Sequence, residues 1–491
     1  MEEIKKLIDI LERKGKSSTS ALLNYSDNIS LEARLYQSIK DEEPQDEAFL
    51  IDKLYGKPGK QGAYKMLKSR VKRKLYNQLL FLDTDNLKLV DEIGGIEIKC
   101  RKILYLADAL RWVDEAILSE QQLKKVLTIA QDAQFVKYQI DGLEQLRTLL
   151  AEKKYNRKEF DECTSRLEKL YRIQEIEREA DKRYFDIRFD IKLGVETNYK
   201  FQQKLLSYIN ELQDFWKASE SSQVFKRYHQ LKVMYYEVVG DFNSSISYIN
   251  STFTLYNSGK VHRLYFSENF NRFLLVFAYL RTQQYKEGLV EAEKLKYNIE
   301  NGTNNWFMHM ENYFQLAVHS KSYPIAEELL TEVLMHKYYH ELKYAAQERW
   351  YLFYRFLNYI TGYTTPVKKD LKYKHIPRDK KGYNVWNLIL DFVLVLEKKQ
   401  PELIEREIDR VRKFITKYLG ATEDARTKLF LKLLLIAGRE YPDVKACKRK
   451  GSYLFNKLQQ TPAAGIAYAE TEIMPFEHLW ELILHKMGSN K

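Results

Sequence analysis

The chain has 491 residues and a net charge of +12, with 19 Gly, 9 Pro and 3 Cys. Average usage would supply about 34 Gly and 25 Pro. So few turn formers exclude sandwiches and barrels, and three scattered cysteines exclude a disulfide framework. No apolar run reaches the roughly 18 residues that a membrane span needs. The opening MEEIKKLIDILERKGK is charged and amphipathic and has no apolar signal-peptide core,. The expectation is a cytoplasmic chain.

Residues 1–90 predict an N-terminal helical module of two or three helices. Within 63–82, Leu67, Val71, Leu75, Leu79 and Leu82 recur at three- and four-residue steps and make one apolar stripe,. Between Lys57 and Lys74 there are eight basic residues and no acidic one. Lys57, Lys60, Lys65, Lys68, Arg70, Lys72 and Arg73 are therefore candidate phosphate contacts. Gly56, Gly59 and Gly62 precede the helix, and exposed amides at a helix N-terminus attract anions. The glycine spacing is not that of a P-loop. The alternative is a solvated or protein-facing helix surface. SLEARLYQSIKDE, DEAFLIDKLYG and AYKMLKSRVKRKLYNQL together resemble the three helices of the winged-helix domain of bacterial SARP-type regulators. That resemblance implies a nucleic-acid-binding regulator, with IGGIEIKC (93–100) as the one segment available for a wing.

From 91 to 361 apolar residues keep a helical period, with stripes at 103–130, 140–176, 200–216, 226–256, 270–299, 306–336 and 341–361,. Three stretches share one plan: VMYYEVVGDFNSSISYINSTFTLY (233–256), LLVFAYLRTQQYKEGLVEAEKLK (274–296) and NYFQLAVHSKSYPIAEELLTEVL (312–334). In each, an aromatic at the turn is followed three residues later by Ser245, Gly288 or Ala326. The aromatic fills the wedge of a helical hairpin, and the small residue lets two helices approach closely. Weaker copies centre on Ala116 and Cys163. These residues resemble the tetratricopeptide repeat (TPR). The resemblance implies an all-α, right-handed superhelix, an α-solenoid of antiparallel helical hairpins with a concave groove. On that analogy the first helices of the central repeats, with Tyr235, Tyr236, Arg272, Tyr279, Asn312 and Gln315, would hold a peptide or helix of a partner protein.

Residues 362–383 read as a charged loop, with seven basic and two acidic residues in 366–381. Residues 384–491 read as further hairpins, with stripes at 384–399, 402–419 and 425–438. A last helix, 475–486, presents Leu479, Trp480, Ile483 and Met487 as a capping face. The aromatic-cationic stretch 338–359 has the composition of a stacking platform for single strands. The simpler expectation is aromatics in the core with Lys343, Arg349 and Arg355 outside. His336 and His340 are spaced to share a helix face and bind a metal, without a compelling third ligand. Glu175, Glu177, Glu179 and Asp181 fit a solvated, salt-bridged face. No catalytic motif occurs, and no cofactor or metal is expected. The first expectation is a non-enzymatic interaction scaffold; the second is a nucleic-acid-binding regulator using 57–74. Composition and degenerate repeats resemble TPR-like proteins of Bacteroidota.

Overall fold

The computed structural model describes residues 2–14, 30–40, 46–56, 59–80, 91–194, 198–364, 383–419, 425–461 and 472–489. Among them the chain is all-α, with 21 helices, most packed on their sequence neighbours and none replaced by strands. Two compact units divide it, residues 1–174 and 175–491.

In the first unit, α1 (Glu2–Lys14), α2 (Leu31–Lys40), α3 (Glu47–Tyr55) and α4 (Gln61–Leu80) share one small core. Leu67, Val71 and Leu75 of α4 are buried in it, as the stripe predicted, against Ile4, Leu35, Tyr36 and Leu50. Each such leucine contributes about 1.5–3 kcal/mol. Leu79 and Leu82 lie outside the described side chains. Asp46 caps α3 by accepting from the Ala48 amide, and Gly56 ends it in the left-handed conformation. Gly62 lies inside α4 rather than before it.

The unit continues with α5 (Glu92–Trp112), α6 (Ala116–Asp132) and α7 (Val136–Leu149). IGGIEIKC is the first part of α5 and is helical. The expected 140–176 stripe is broken. A single π turn, Leu150–Lys154, ends in Tyr155 at φ 51°, and a new helix, α8 (Arg157–Lys192), runs 36 residues. The division between the units falls within α8.

The second unit continues through α9 (Tyr199–Ser219), α10 (Ser222–Val239), α11 (Phe242–Asn257), α12 (Glu268–Arg281), α13 (Tyr285–Lys296), α14 (Asn304–His319) and α15 (Tyr323–Leu334). The predicted hairpins are α10–α11, α12–α13 and α14–α15. Ser245, Gly288 and Ala326 each lie three residues into the second helix and are buried. A Cβ on Gly288 would stand 2.7 Å from Leu316 Cδ2 and 3.1 Å from Tyr279 Cβ, so α13 closes against α12 and α14 there.

One turn geometry recurs in both units. Asp114, Gln134, Gly240, Gln283 and Lys321 all have positive φ. The next amide, of Glu115, Phe135, Asp241, Gln284 or Ser322, donates to the carbonyl of Leu110, Ala130, Tyr236, Tyr279 or Ala317 at 2.7–3.0 Å. This is the six-to-one bond of a Schellman turn. Only one of these left-handed positions is glycine. The turn also corrects a register. In α6 the small residue three positions in is Ser119, which is buried with its hydroxyl donating to the Ala107 carbonyl at 2.8 Å, and not Ala116.

The chain ends with α16 (Tyr344–Thr361), α17 (Tyr383–Lys398), α18 (Pro401–Tyr418), α19 (Ala425–Glu440), α20 (Val444–Gln460) and α21 (Phe476–Ser489). Most of the charged loop, residues 365–382, lies outside the described residues. The stripes did not single out α20. Its fourth residue, Cys447, is fully buried, as Ala326 is in α15. Leu479, Trp480, Ile483 and Met487 are buried, as their spacing predicted. Helix α21 folds back on α17 and α20, with Lys486 Nζ 2.7 Å from Glu397 and donating to the Tyr359 carbonyl.

Candidate functional site

A cleft of about 470 Å³ opens where α11, α12 and α13 meet, lined by Tyr256, Phe266, Glu268, Asn269, Arg272 and Asn298 among others. Ser267 starts α12 by accepting from the Phe270 amide at 3.2 Å, which fixes the first turn of the helix beside the cleft. Tyr256 and Phe266 stack at 4.8 Å between centroids and form an apolar wall. Arg272 leans over the Phe253 ring at 5.4 Å, with its guanidinium 2.6 Å from Glu291 and 3.8 Å from Glu268. Lys294, also on the lining, pairs with the same Glu291 at 2.9 Å. Both cations of the lining are thereby paired with carboxylates. Asn269 donates to the Asn298 carbonyl at 2.8 Å, and Asn298 donates to the Lys294 carbonyl at 2.7 Å. A carboxamide has both a donor group and an acceptor oxygen, as a peptide group does.

Of the six groove residues expected from the sequence, Arg272 lines this cleft. Tyr235 and Tyr236 sit half-buried on α10 with rings 6.1 Å apart, and Lys232 lies over Tyr236 at 5.2 Å. Tyr279 is half-buried and packs against Gly288. Asn312 is half-buried on α14, and Gln315 is 7% exposed with its Oε1 unpartnered.

Three of the candidate phosphate contacts on and before α4 pair within their own module. Lys68 reaches Glu47 at 2.5 Å, Lys72 reaches Glu3 at 2.6 Å, and Arg70 lies 3.5 Å from Glu32. The hydrogen bond to Lys72 holds the Glu3 carboxyl below its ordinary range. Lys60, Lys65 and Arg73 are exposed. Lys57 lies outside the described residues.

Other expectations need correction. His336 follows the end of α15 and His340 sits in a short 3₁₀ turn, so the two do not share a helix face. His336 packs between Trp306 and Tyr338 instead. Among the described residues no three His, Cys, Asp or Glu side chains come together to hold a metal ion. In the 338–359 stretch Trp350, Phe353 and Phe356 are core. Arg349 and Arg355 are not outside: they pair with Glu311 and Asp391 on neighbouring helices.

The carboxylate run hides one buried acid. Glu177 is 6% exposed and accepts from the Ser221 hydroxyl at 2.6 Å. Burial, against the pull of that bond and with help from nearby Asp181, pushes its pKa up to about 7. The folded state thus binds a proton more tightly than the unfolded chain does. Stability from this group is full below the ordinary carboxylate pKa and is lost as pH rises through about 7. Glu177→Gln keeps the acceptor and removes the charge. It is expected to raise the unfolding midpoint at pH 8 and leave it unchanged at pH 4, by at most about 3 kcal/mol. Denaturant melts at the two pH values check this, and equal shifts at both would refute it.

Three histidines are also buried and neutral. His229, His309 and His319 have pKa values lowered to about 4, mainly by burial. His229 Nδ1 lies 3.3 Å from the Tyr248 hydroxyl, and the Asn271 side chain beside the ring opposes part of the shift. Nothing in the sequence marked these positions, because a histidine on an apolar stripe reads the same whether buried or exposed.

The fold and the cleft define an all-α chain of consecutive helical hairpins with a mixed apolar and amide-lined recess. No protein-family model, curated protein or solved structure matches the chain. Among the described residues no helix is long and apolar enough to cross a membrane.

Proposed function

We propose that this chain is a non-enzymatic interaction scaffold, a right-handed TPR-like solenoid acting in the cytoplasm, whose α11–α13 cleft holds an extended peptide segment of a partner protein. The carrying observation is the cleft itself: the stacked Tyr256–Phe266 wall faces Asn269, Asn298 and a neutralised Arg272. Such a lining binds a peptide backbone through amides and one side chain through the aromatic wall. The nucleic-acid reading of α4 has weaker support, because Lys68, Arg70 and Lys72 already face carboxylates of α1–α3.

A random peptide library panned against the full chain tests the proposal. We expect an enriched motif whose binding, read by fluorescence anisotropy, falls at least about tenfold in Asn269→Ala/Arg272→Ala, a loss of about 1.4 kcal/mol. Failure to enrich any motif, or peptides that bind the variant as well as the native chain, would overturn it.

A further inference from the structure

The hairpin of α19 and α20 concentrates positive charge. Residues 425–460 carry nine basic and two acidic residues. Both acids are committed: Glu440 accepts from Lys450 at 2.7 Å, and Asp443 caps α20 by accepting from the Ala446 amide at 3.0 Å. Helix α20 buries one side only. Cys447, Gly451 and Leu458 are buried, and a Cβ on Gly451 would stand 3.2 Å from Leu433 of α19 and from Trp480 of α21. The other side is open from Lys445 to Gln460, and every exposed residue there is Lys, Arg, Ser, Tyr, Asn or Gln.

Lys445, Arg449, Tyr453 and Lys457 follow one another at steps of four and make one ridge across the open side, about 18 Å long. Lys448 and Asn456 flank it. Among the described residues none of Lys445, Lys448, Arg449 and Lys457 makes an ion pair. Helix α4 differs, because Lys68, Arg70 and Lys72 there have carboxylates within reach. Tyr453 is 72% exposed, and among the described residues no ring or cation lies on it. Cations left without counter-charges hold a positive potential that draws a polyanion. The ring selects among polyanions. A run of acidic residues in a peptide answers the cations and has no use for the ring. An anionic lipid surface takes a broad apolar face, and this side offers one tyrosine amid polar residues. A duplex keeps its bases stacked inside. A single strand brings phosphates for the cations and an open base for the ring, the combination that holds strands without sequence preference. Asn456 and Gln460, both exposed, add carboxamides that donate and accept,.

We infer that the open side of α20 is a binding site for single-stranded nucleic acid, in which Lys445, Arg449 and Lys457 neutralise phosphates of one strand and a base stacks on Tyr453. The site stands apart from α4 and does not depend on what the α11–α13 cleft binds.

Fluorescence anisotropy of the full chain with a fluorescein-labelled oligothymidylate, titrated with salt, tests the inference. Three phosphate contacts on a single strand predict a log–log salt slope of about −2. Arg449→Gln/Lys457→Gln is expected to flatten it to about −0.7. Tyr453→Ala is expected to weaken binding at least about fivefold at every salt concentration with the slope unchanged, and Tyr453→Phe to bind as the native chain does. Lys65→Gln/Arg73→Gln on α4 should leave the binding as it was. All these side chains are exposed, so helical circular dichroism is expected to stay constant and is recorded for each variant. Unlabelled polyglutamate and phosphatidylserine vesicles serve as competitors. No binding at low salt, a native affinity in Tyr453→Ala, an unchanged slope in Arg449→Gln/Lys457→Gln, or displacement by either competitor as effective as by unlabelled strand would overturn the inference.

Discussion

Replacing Arg426 with glutamine is expected to destabilise the second unit by about 3–5 kcal/mol, the cost of breaking a buried ion pair from one side. Arg426 is the centre of the C-terminal hairpins. Its Nε donates to Glu472 at 2.6 Å, and Nη2 donates to both Glu477 oxygens at 2.9 Å. Nη1 donates to the carbonyls of Leu458 and Thr461 at 2.8 and 2.7 Å, closing the end of α20. Glu472 is almost wholly enclosed. Burial raises its pKa, and the Arg426 guanidinium opposes that shift. Glu472 also accepts from the Phe476 amide at 3.0 Å, which starts α21, while its own carbonyl accepts from His319 Nε2 at 2.5 Å. Glutamine would leave two carboxylates facing each other without a cation. The loss should be largest at neutral pH and shrink as pH falls and Glu472 takes up a proton. The chain has two units, so the midpoint of the second unit's transition is the quantity to follow, not a single global free energy. Urea melts followed by tryptophan fluorescence at pH 7 and pH 5 measure it. A change below about 1 kcal/mol would mean that the cluster behaves as a solvated surface pair.

Trp350→Ala is expected to cost a similar 3–5 kcal/mol, the range for truncating a buried large aromatic. Trp350 is 1% exposed, and its ring meets Phe314 at 5.9 Å and Phe353 at 5.4 Å, both edge to face. Phe314 and Phe353 stack on each other at 4.8 Å, so alanine would open a cavity among aromatics that cannot collapse into it. Near-ultraviolet circular dichroism and thermal melts read the result. The experiment also decides between two uses of the 338–359 stretch. A stacking platform for single strands would tolerate the substitution in the free protein and lose only nucleic-acid binding. A core residue loses fold first.

The hairpins α10–α11, α12–α13 and α14–α15 were legible because two local signals agree there: a helical apolar period, and a turn aromatic followed by a small residue. The turns themselves were not. Glycine is the residue type that signals a left-handed position, yet Asp114, Gln134, Gln283 and Lys321 adopt it here. The six-to-one hydrogen bond and the packed helices on either side hold these residues at positive φ, at a cost of about 1–2 kcal/mol each. That is why Ala116 was assigned a place that belongs to Ser119. The cleft was legible in one residue, Arg272. Its aromatic wall, Tyr256 and Phe266, comes from the end of α11 and the connection beyond it, where no period operates.

What the sequence determined by itself is what nearest neighbours along a helix decide: helix content, the apolar stripes of α4 and α21, and the close approach at Gly288 and Ala326. A 3.6-residue period and the size of a side chain are local properties, and they survive any arrangement of the rest. Tertiary structure alone decided the partners of the charged groups. Lys68 and Lys72 found carboxylates on other helices, Arg349 and Arg355 were drawn between helices, and Glu177 was buried beside Ser221. A charge on a helix reads the same whether it faces water or a neighbouring helix. Desolvation and the distance to an opposite charge separate the two cases, and both exist only once the helices have packed.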